Sequence, residues 1–310
     1  MNSLLLVVSI FAAVCNNVIL HLLSTKNIRY NPFLFNAGGS LVWIIILLCI
    51  GGQGVYTPTT VLYGFVYGMV MVGFLFFKMQ AMTTGPILVA SLLGCSSFVL
   101  TTVFNAVYWK EKIDAFEVSG ILLMLVAVYL ITMKASSGQR IEENKKKIRR
   151  AWIIYCIFFF LFAASVGIIF KFHQTYDSEN TNEMMIVSTI VSATIFLLIY
   201  FISKIFSKKK ETEKSEAMQV VAAKNERAIL IGLMVAAGAA SCVYNRLNVY
   251  LVGVLPSALF NPIFNGSIIM LASIAGRIVF KEKLTRRQII GVCCGVLAII
   301  LISNVFGLCR

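Results

Sequence analysis

The chain has 310 residues, of which 59% are hydrophobic and only 13% charged, with a mean hydropathy of +0.88 and a net charge of +14. A soluble domain of this length cannot hide so much apolar surface, and soluble chains carry about twice that share of charged residues. Composition therefore excludes an ordinary soluble protein. The test is whether apolar runs reach the roughly 20 residues that cross about 30 Å of hydrocarbon. In chain order such runs occupy residues 3–23, 32–50, 59–77, 86–107, 116–133, 152–172, 184–206, 228–252, 257–279 and 288–306. Most are joined by short loops, and none shows the ten-residue alternation of a membrane barrel. The expected fold is an all-α membrane protein with ten transmembrane helices and no soluble domain.

The first run has no positive start and is followed by nine more, so it reads as a membrane span and not as a signal peptide. The eight cysteines fall mostly within apolar runs, with no C-x-x-C and no Cys/His cluster. Neither a disulfide framework nor a metal site is supported, and no cofactor is expected. No H-E-x-x-H, buried Asp pair or G-x-S-x-G is present, so no catalytic residues are assigned.

The positive charge follows the loops, which argues against nucleic acid as a partner. Residues 134–150 hold seven basic and two acidic residues, 204–227 seven and four, and 277–287 five and one. The alternate connections 110–117 and 171–183 are net acidic, and 51–58 carries no charge. Basic loops are retained on the cytoplasmic side, so the first set is expected inside and both termini outside. Tails without sorting signals lean toward a bacterial plasma membrane. The partners expected are the lipid bilayer and a small-molecule substrate, the protein being a monomer or weak homodimer. The small-xxx-small stretch Gly291–Gly295 is expected to pack within the monomer.

One phrase is written twice. Trp109-Lys110-Glu111-Lys112 and Phe280-Lys281-Glu282-Lys283 lie 171 residues apart, and each Glu is followed nine positions later by Gly, at Gly120 and Gly291. The same offset pairs Ser96 with Ser267 and lays Ala127–Thr132 over Ala298–Ser303. The chain reads as two five-helix halves, residues 1–135 and 151–310, joined by a basic cytoplasmic linker at 136–150. An odd helix count per half makes the repeats inverted, the architecture of transporters with alternating openings. In each phrase Glu111 or Glu282 can pair with the flanking lysines, and Gly120 or Gly291 lets backbones approach.

Ten spans in two halves, with E-x-x-x-x-x-x-x-x-G closing the fourth and ninth, resemble the EamA-like branch of the drug/metabolite transporter superfamily. That resemblance covers essentially the whole chain. It implies a central cavity lined by the first, third, fourth, sixth, eighth and ninth helices. The cargo classes it implies are amino acids, organic acids, sugars and phosphorylated or nucleotide-linked metabolites. A non-transporting sensor or scaffold of the same fold is the alternative, because inverted repeats show architecture and not flux.

Polar side chains inside apolar runs are costly unless they pair or line a watery cavity, so each is a candidate for cargo contact. They are Asn16, Asn17 and His21 in the first run, Lys78 at the end of the third and Ser96 in the fourth. The eighth carries Tyr244, Asn245, Arg246 and Asn248, and the ninth Asn261 and Asn265, one turn apart beside Pro262. That proline is expected to free a carbonyl and open the helix. Hydrogen bonding between helices is the competing account of the amides and serines, and snorkelling to the interface that of Lys78. Arg246 is the basic residue deepest in an apolar run, with no acidic residue inside any run to neutralise it. It points to a cargo bearing a carboxylate or phosphate. All thirteen acidic residues lie in loops or at run ends, which disfavours carboxylate-based proton antiport and leaves His21 as a proton carrier.

Overall fold

The computed structural model describes residues 2–25, 31–50, 54–84, 87–111, 114–132, 146–208, 224–280 and 285–305. Among them are α1 (Asn2–Thr25), α2 (Pro32–Ile50), α3 (Pro58–Thr84), α4 (Ile87–Trp109) and α5 (Ala115–Thr132), then α6 (Lys146–Tyr176), α7 (Thr181–Lys208), α8 (Lys224–Val254), α9 (Ser257–Phe280) and α10 (Arg286–Val305). A short 3-10 turn, Ser178–Asn180, leads into α7, and no strand occurs among the described residues. Lys281 to Leu284, and with them Glu282, lie outside the described residues, as do the two long basic connections.

Local chemistry starts these helices where the sequence places polar residues and proline. Asn31 Oδ1 accepts the N–H groups of Phe33 and Leu34, and Pro32 occupies the first helical position. Thr57 caps α3 in the same way, through the N–H of Thr60 at 3.1 Å, again with a proline next in line. The two copies of the charged phrase end in a shared device. Glu117 Oε2 takes the N–H of Asp114 at 3.1 Å, and Gln288 Oε1 takes that of Thr285 at 2.8 Å. These are the back-reaching arms of capping boxes at the starts of α5 and α10.

Six helices, α1, α2, α3, α6, α7 and α8, contain stretches long and apolar enough to cross a membrane. Their outward faces are apolar too: Phe11 is 67% exposed and Ile205 68%. Water would not tolerate a surface of that kind, whereas lipid tails solvate it. The protein is an integral membrane protein.

The helices form two compact units. One comprises Met1–Phe11, Gly73–Ser178 and Leu247–Arg310, the other Ala12–Val72 and Glu179–Arg246, so α1, α3 and α8 contribute residues to both. In the first unit α5 lies along α10, and Phe98, Ile121, Met124, Ala127, Val128 and Ala298 make one buried cluster. Ala127 and Ala298, equivalent in the repeat, are both wholly buried there. The end of α3 meets α6 through rings: Phe77 stacks on Phe158 at 5.0 Å and on Phe162 at 5.5 Å. Further along, Trp109 of α4 meets Phe172 of α6 edge-on at 4.8 Å.

In the second unit α2 packs on α7, and Leu23, Phe35 and Ala237 form a small buried cluster. The first half of α3 approaches α7 closely. A Cβ at Gly64 would stand 2.7 Å from the carbonyl oxygen of Met184, and one at Gly68 2.7 Å from that of Ser188. These glycines are four apart, the small-xxx-small spacing that brings membrane helices together. Gly295 of the Gly291–Gly295 stretch faces Met270 of α9, inside the first unit.

Candidate functional site

Arg246 sits in the second unit, half-buried on α8. Its Nε–H donates to Oδ1 of Asn182, at the start of α7, at 2.6 Å. Glu183, the next residue, is buried and acts on the guanidinium electrostatically, but forms no ion pair with it among the described residues. The expectation that Arg246 has no acidic neighbour is thus corrected: the chain turn into α7 supplies one. Glu183 is already engaged, because its Oε1 accepts the N–H of Gly54 at 3.0 Å. Asn180 Oδ1 accepts the neighbouring N–H, that of Val55, at 3.2 Å. The segment carrying Asn182 is therefore fastened on both sides.

Beside Arg246 on α8, Asn245 is buried and its amide is used at both ends. Its Nδ2 donates to the Ser241 carbonyl at 2.9 Å, and its Oδ1 accepts from the hydroxyl of Tyr67 at 3.1 Å. Tyr67, only 1% exposed, is a residue that sequence reasoning missed. Its position in a run of aromatic and aliphatic residues gave no sign that its hydroxyl was in use. Tyr244 is half-buried and interacts with Ser241 and Asn245. Asn16 and Asn17 lie half-buried on α1 in this unit.

The first unit holds a separate polar assembly. Glu111 follows α4 and pairs with Lys171 of α6 at 3.1 Å, while its other oxygen accepts the N–H of Ser257 at the start of α9, also at 3.1 Å. Lys171 Nζ donates in addition to the Val252 carbonyl near the end of α8 at 3.2 Å. One carboxylate thus ties three segments, using charge-assisted hydrogen bonds and the positive end of a helix. Pairing of Glu111 with its neighbours Lys110 and Lys112 was the expectation. Instead Lys110 adopts φ 52°, a left-handed turn after which Glu111 meets Lys171. Lys112 lies outside the described residues.

In the same unit, Asn105 Nδ2 donates to Ser257 Oγ at 2.9 Å and Asn261 Nδ2 to Thr102 Oγ1 at 3.3 Å. Asn265 Nδ2 donates to the Asn261 carbonyl at 2.9 Å. Asn261 and Asn265 are thus linked to each other, and α9 continues unbroken through Pro262, where an opening was expected. Asn248 Oδ1 accepts from Ser9 at 2.6 Å. Lys78 lies over the ring of Phe74, one turn back on its own helix, at 5.7 Å from the centroid. Ser96 is half-buried on α4, and the side chain of His21 lies outside the described residues. Gly120 and Gly291 are buried.

A crystal structure of another protein superimposes on this fold with a TM-score of 0.71 at 14% identity, covering 97% of this chain and 98% of that one. No curated protein matches the sequence. Residues 150–304 match the EamA-like transporter family, a domain of the drug/metabolite transporter superfamily, and that match takes in α6 to α10 with Arg246, Asn248, Asn261 and Asn265. A polytopic helical membrane protein with this matched half belongs to the EamA-like transporter family.

Proposed function

We propose that the chain is a secondary transporter for a small polar metabolite bearing a carboxylate or phosphate, which docks on Arg246. It works by alternating access between two inverted five-helix repeats, residues 1–135 and 151–310, with the basic loops in the cytoplasm. The observation that carries this reading is the pairing of Arg246 with a neutral amide. Nε–H is held by Asn182, and the two Nη groups make no hydrogen bond among the described residues. A guanidinium in an apolar helix is unfavourable unless water or an anion reaches it. With Nε held, the remaining edge is the one that grips carboxylate or phosphate at two points.

Two observations support the repeats. Glu117 and Gln288 cap equivalent helix starts, and Ala127 and Ala298 are buried in one cluster. Asn261 and Asn265 use their amide donors within α4 and α9, and their side-chain oxygens serve as acceptors for hydroxyl or amide groups of the cargo.

Proteoliposomes tested against a metabolite panel, followed by Arg246→Gln, decide the matter. The substitution keeps hydrogen bonding but removes the charge and the fork. Loss of one charge-assisted contact weakens binding by about 1.5–3 kcal/mol, roughly ten- to a hundredfold, in a protein that still inserts. Unchanged affinity in Arg246→Gln would end the case for an anionic cargo.

A further inference from the structure

We propose that Asn182 is a positioning residue that sets the charge preference of the Arg246 site; this rests on the anion-docking reading above. Asn182 is the second residue of α7, and its Oδ1 lies 2.6 Å from Arg246 Nε. Its position is imposed by its neighbours. Asn180 and Glu183, on either side, both hold the backbone of the connection between α2 and α3, through Val55 and Gly54. Asn182 therefore approaches Arg246 from a braced segment and fixes the rotation of the guanidinium about its stem.

The chemistry of the partner matters as much as its place. An amide oxygen accepts one N–H without neutralising the cation, so Arg246 is oriented and keeps its charge. A carboxylate at the same point would form a bidentate ion pair and consume the fork. The chain does carry a carboxylate one residue later, but Glu183 is committed to the Gly54 amide and does not pair with Arg246 among the described residues. Asparagine at 182 and glutamate at 183 thus divide two tasks: one aims the cation, the other braces the segment. Reversing their chemistry at position 182 should reverse the preference for charge.

Thermal-shift titrations of the full-length protein in detergent test this, because a ligand of the folded state raises its apparent stability. The probes are inorganic phosphate and glutarate, with glutaramide as the uncharged match of glutarate. Wild type should bind the anions more tightly than glutaramide. Asn182→Asp should weaken anion binding by about ten- to a hundredfold while leaving glutaramide unchanged. Asn182→Leu removes the acceptor without adding charge and should weaken anion binding by about three- to tenfold. It also keeps the proposal testable if the aspartate variant does not fold. Retained anion preference in both Asn182 variants, alongside its loss in Arg246→Gln, would overturn the role of Asn182 alone. Anion binding that is absent from wild type, or untouched by Arg246→Gln, would overturn the docking reading and this inference with it.

Discussion

Glu117 and Gln288 do one job at two helix starts 171 residues apart: each reaches back three positions to accept a backbone N–H, at 3.1 and 2.8 Å. Each follows its Lys-Glu-Lys by five residues, so the duplicated phrase encodes how a chain leaves one helix and begins the next. Gln288→Ala should destabilise the protein by about 0.5–2 kcal/mol, the usual cost of a lost cap. Glu117→Gln retains the acceptor and should be nearly neutral, whereas Glu117→Leu should not. Melting temperatures in detergent check this, and equal effects of Gln and Leu at 117 would refute the capping role.

The tie between Glu111 and Lys171 predicts energetic coupling. Glu111→Gln and Lys171→Met each leave one half-buried partner short of a charge-assisted contact, a loss of about 1.5–3 kcal/mol. The double variant should lose less than the sum of the two, because the contact is broken once. Strict additivity in chemical unfolding would mean that the ion pair contributes nothing.

Glycine substitutions should divide by position. Gly68→Ala directs a methyl at the Ser188 carbonyl, 2.7 Å away, where backbone must shift, and should cost about 1–3 kcal/mol. At Gly232 of α8 a Cβ would meet nothing within 4 Å, so Gly232→Ala should be neutral or stabilising by up to about 1 kcal/mol. Equal destabilisation at both positions, read from melting curves, would contradict the close approach of α3 and α7.

Orientation follows from charge. A cysteine placed at Gly138 in a Cys-free background should resist an impermeant thiol reagent in intact cells and react once the cells are opened. Labelling from outside would invert the topology.

Much of the fold was legible because apolar length is a one-dimensional property. The expected run 32–50 coincides with α2, while α3 continues past Phe77 to Thr84 and α6 begins at Lys146, before Trp152. Lysine, arginine and glutamine end a hydrophobic run but are good helix formers, so charge marks the membrane boundary and not the helix boundary. Gly85 and Pro86, which follow α3, are residue types that break helices. The site was legible only in part. Arg246 is conspicuous because its neighbours are apolar, yet its partner Asn182 lies 64 residues away at a helix start, where asparagine is commonplace. Likewise the duplicated Glu111 could be found, but its bonds reach Lys171 and, across 146 residues, Ser257. Periodicity reports which face of a helix is buried and carries no record of which distant residue meets it.

The pairing of α5 with α10 imposes a wait on the ribosome. Ala127 emerges 171 residues before Ala298, the residue whose cluster completes its burial. At roughly 5–20 residues per second, synthesis leaves the inner face of α5 without its permanent neighbour for about ten to thirty seconds. During that interval the growing chain must hold α5 in the bilayer by its own hydrophobicity or by a provisional partner. A chain stopped before α10 would display that face indefinitely, which gives membrane quality control a simple mark by which to recognise an unfinished molecule.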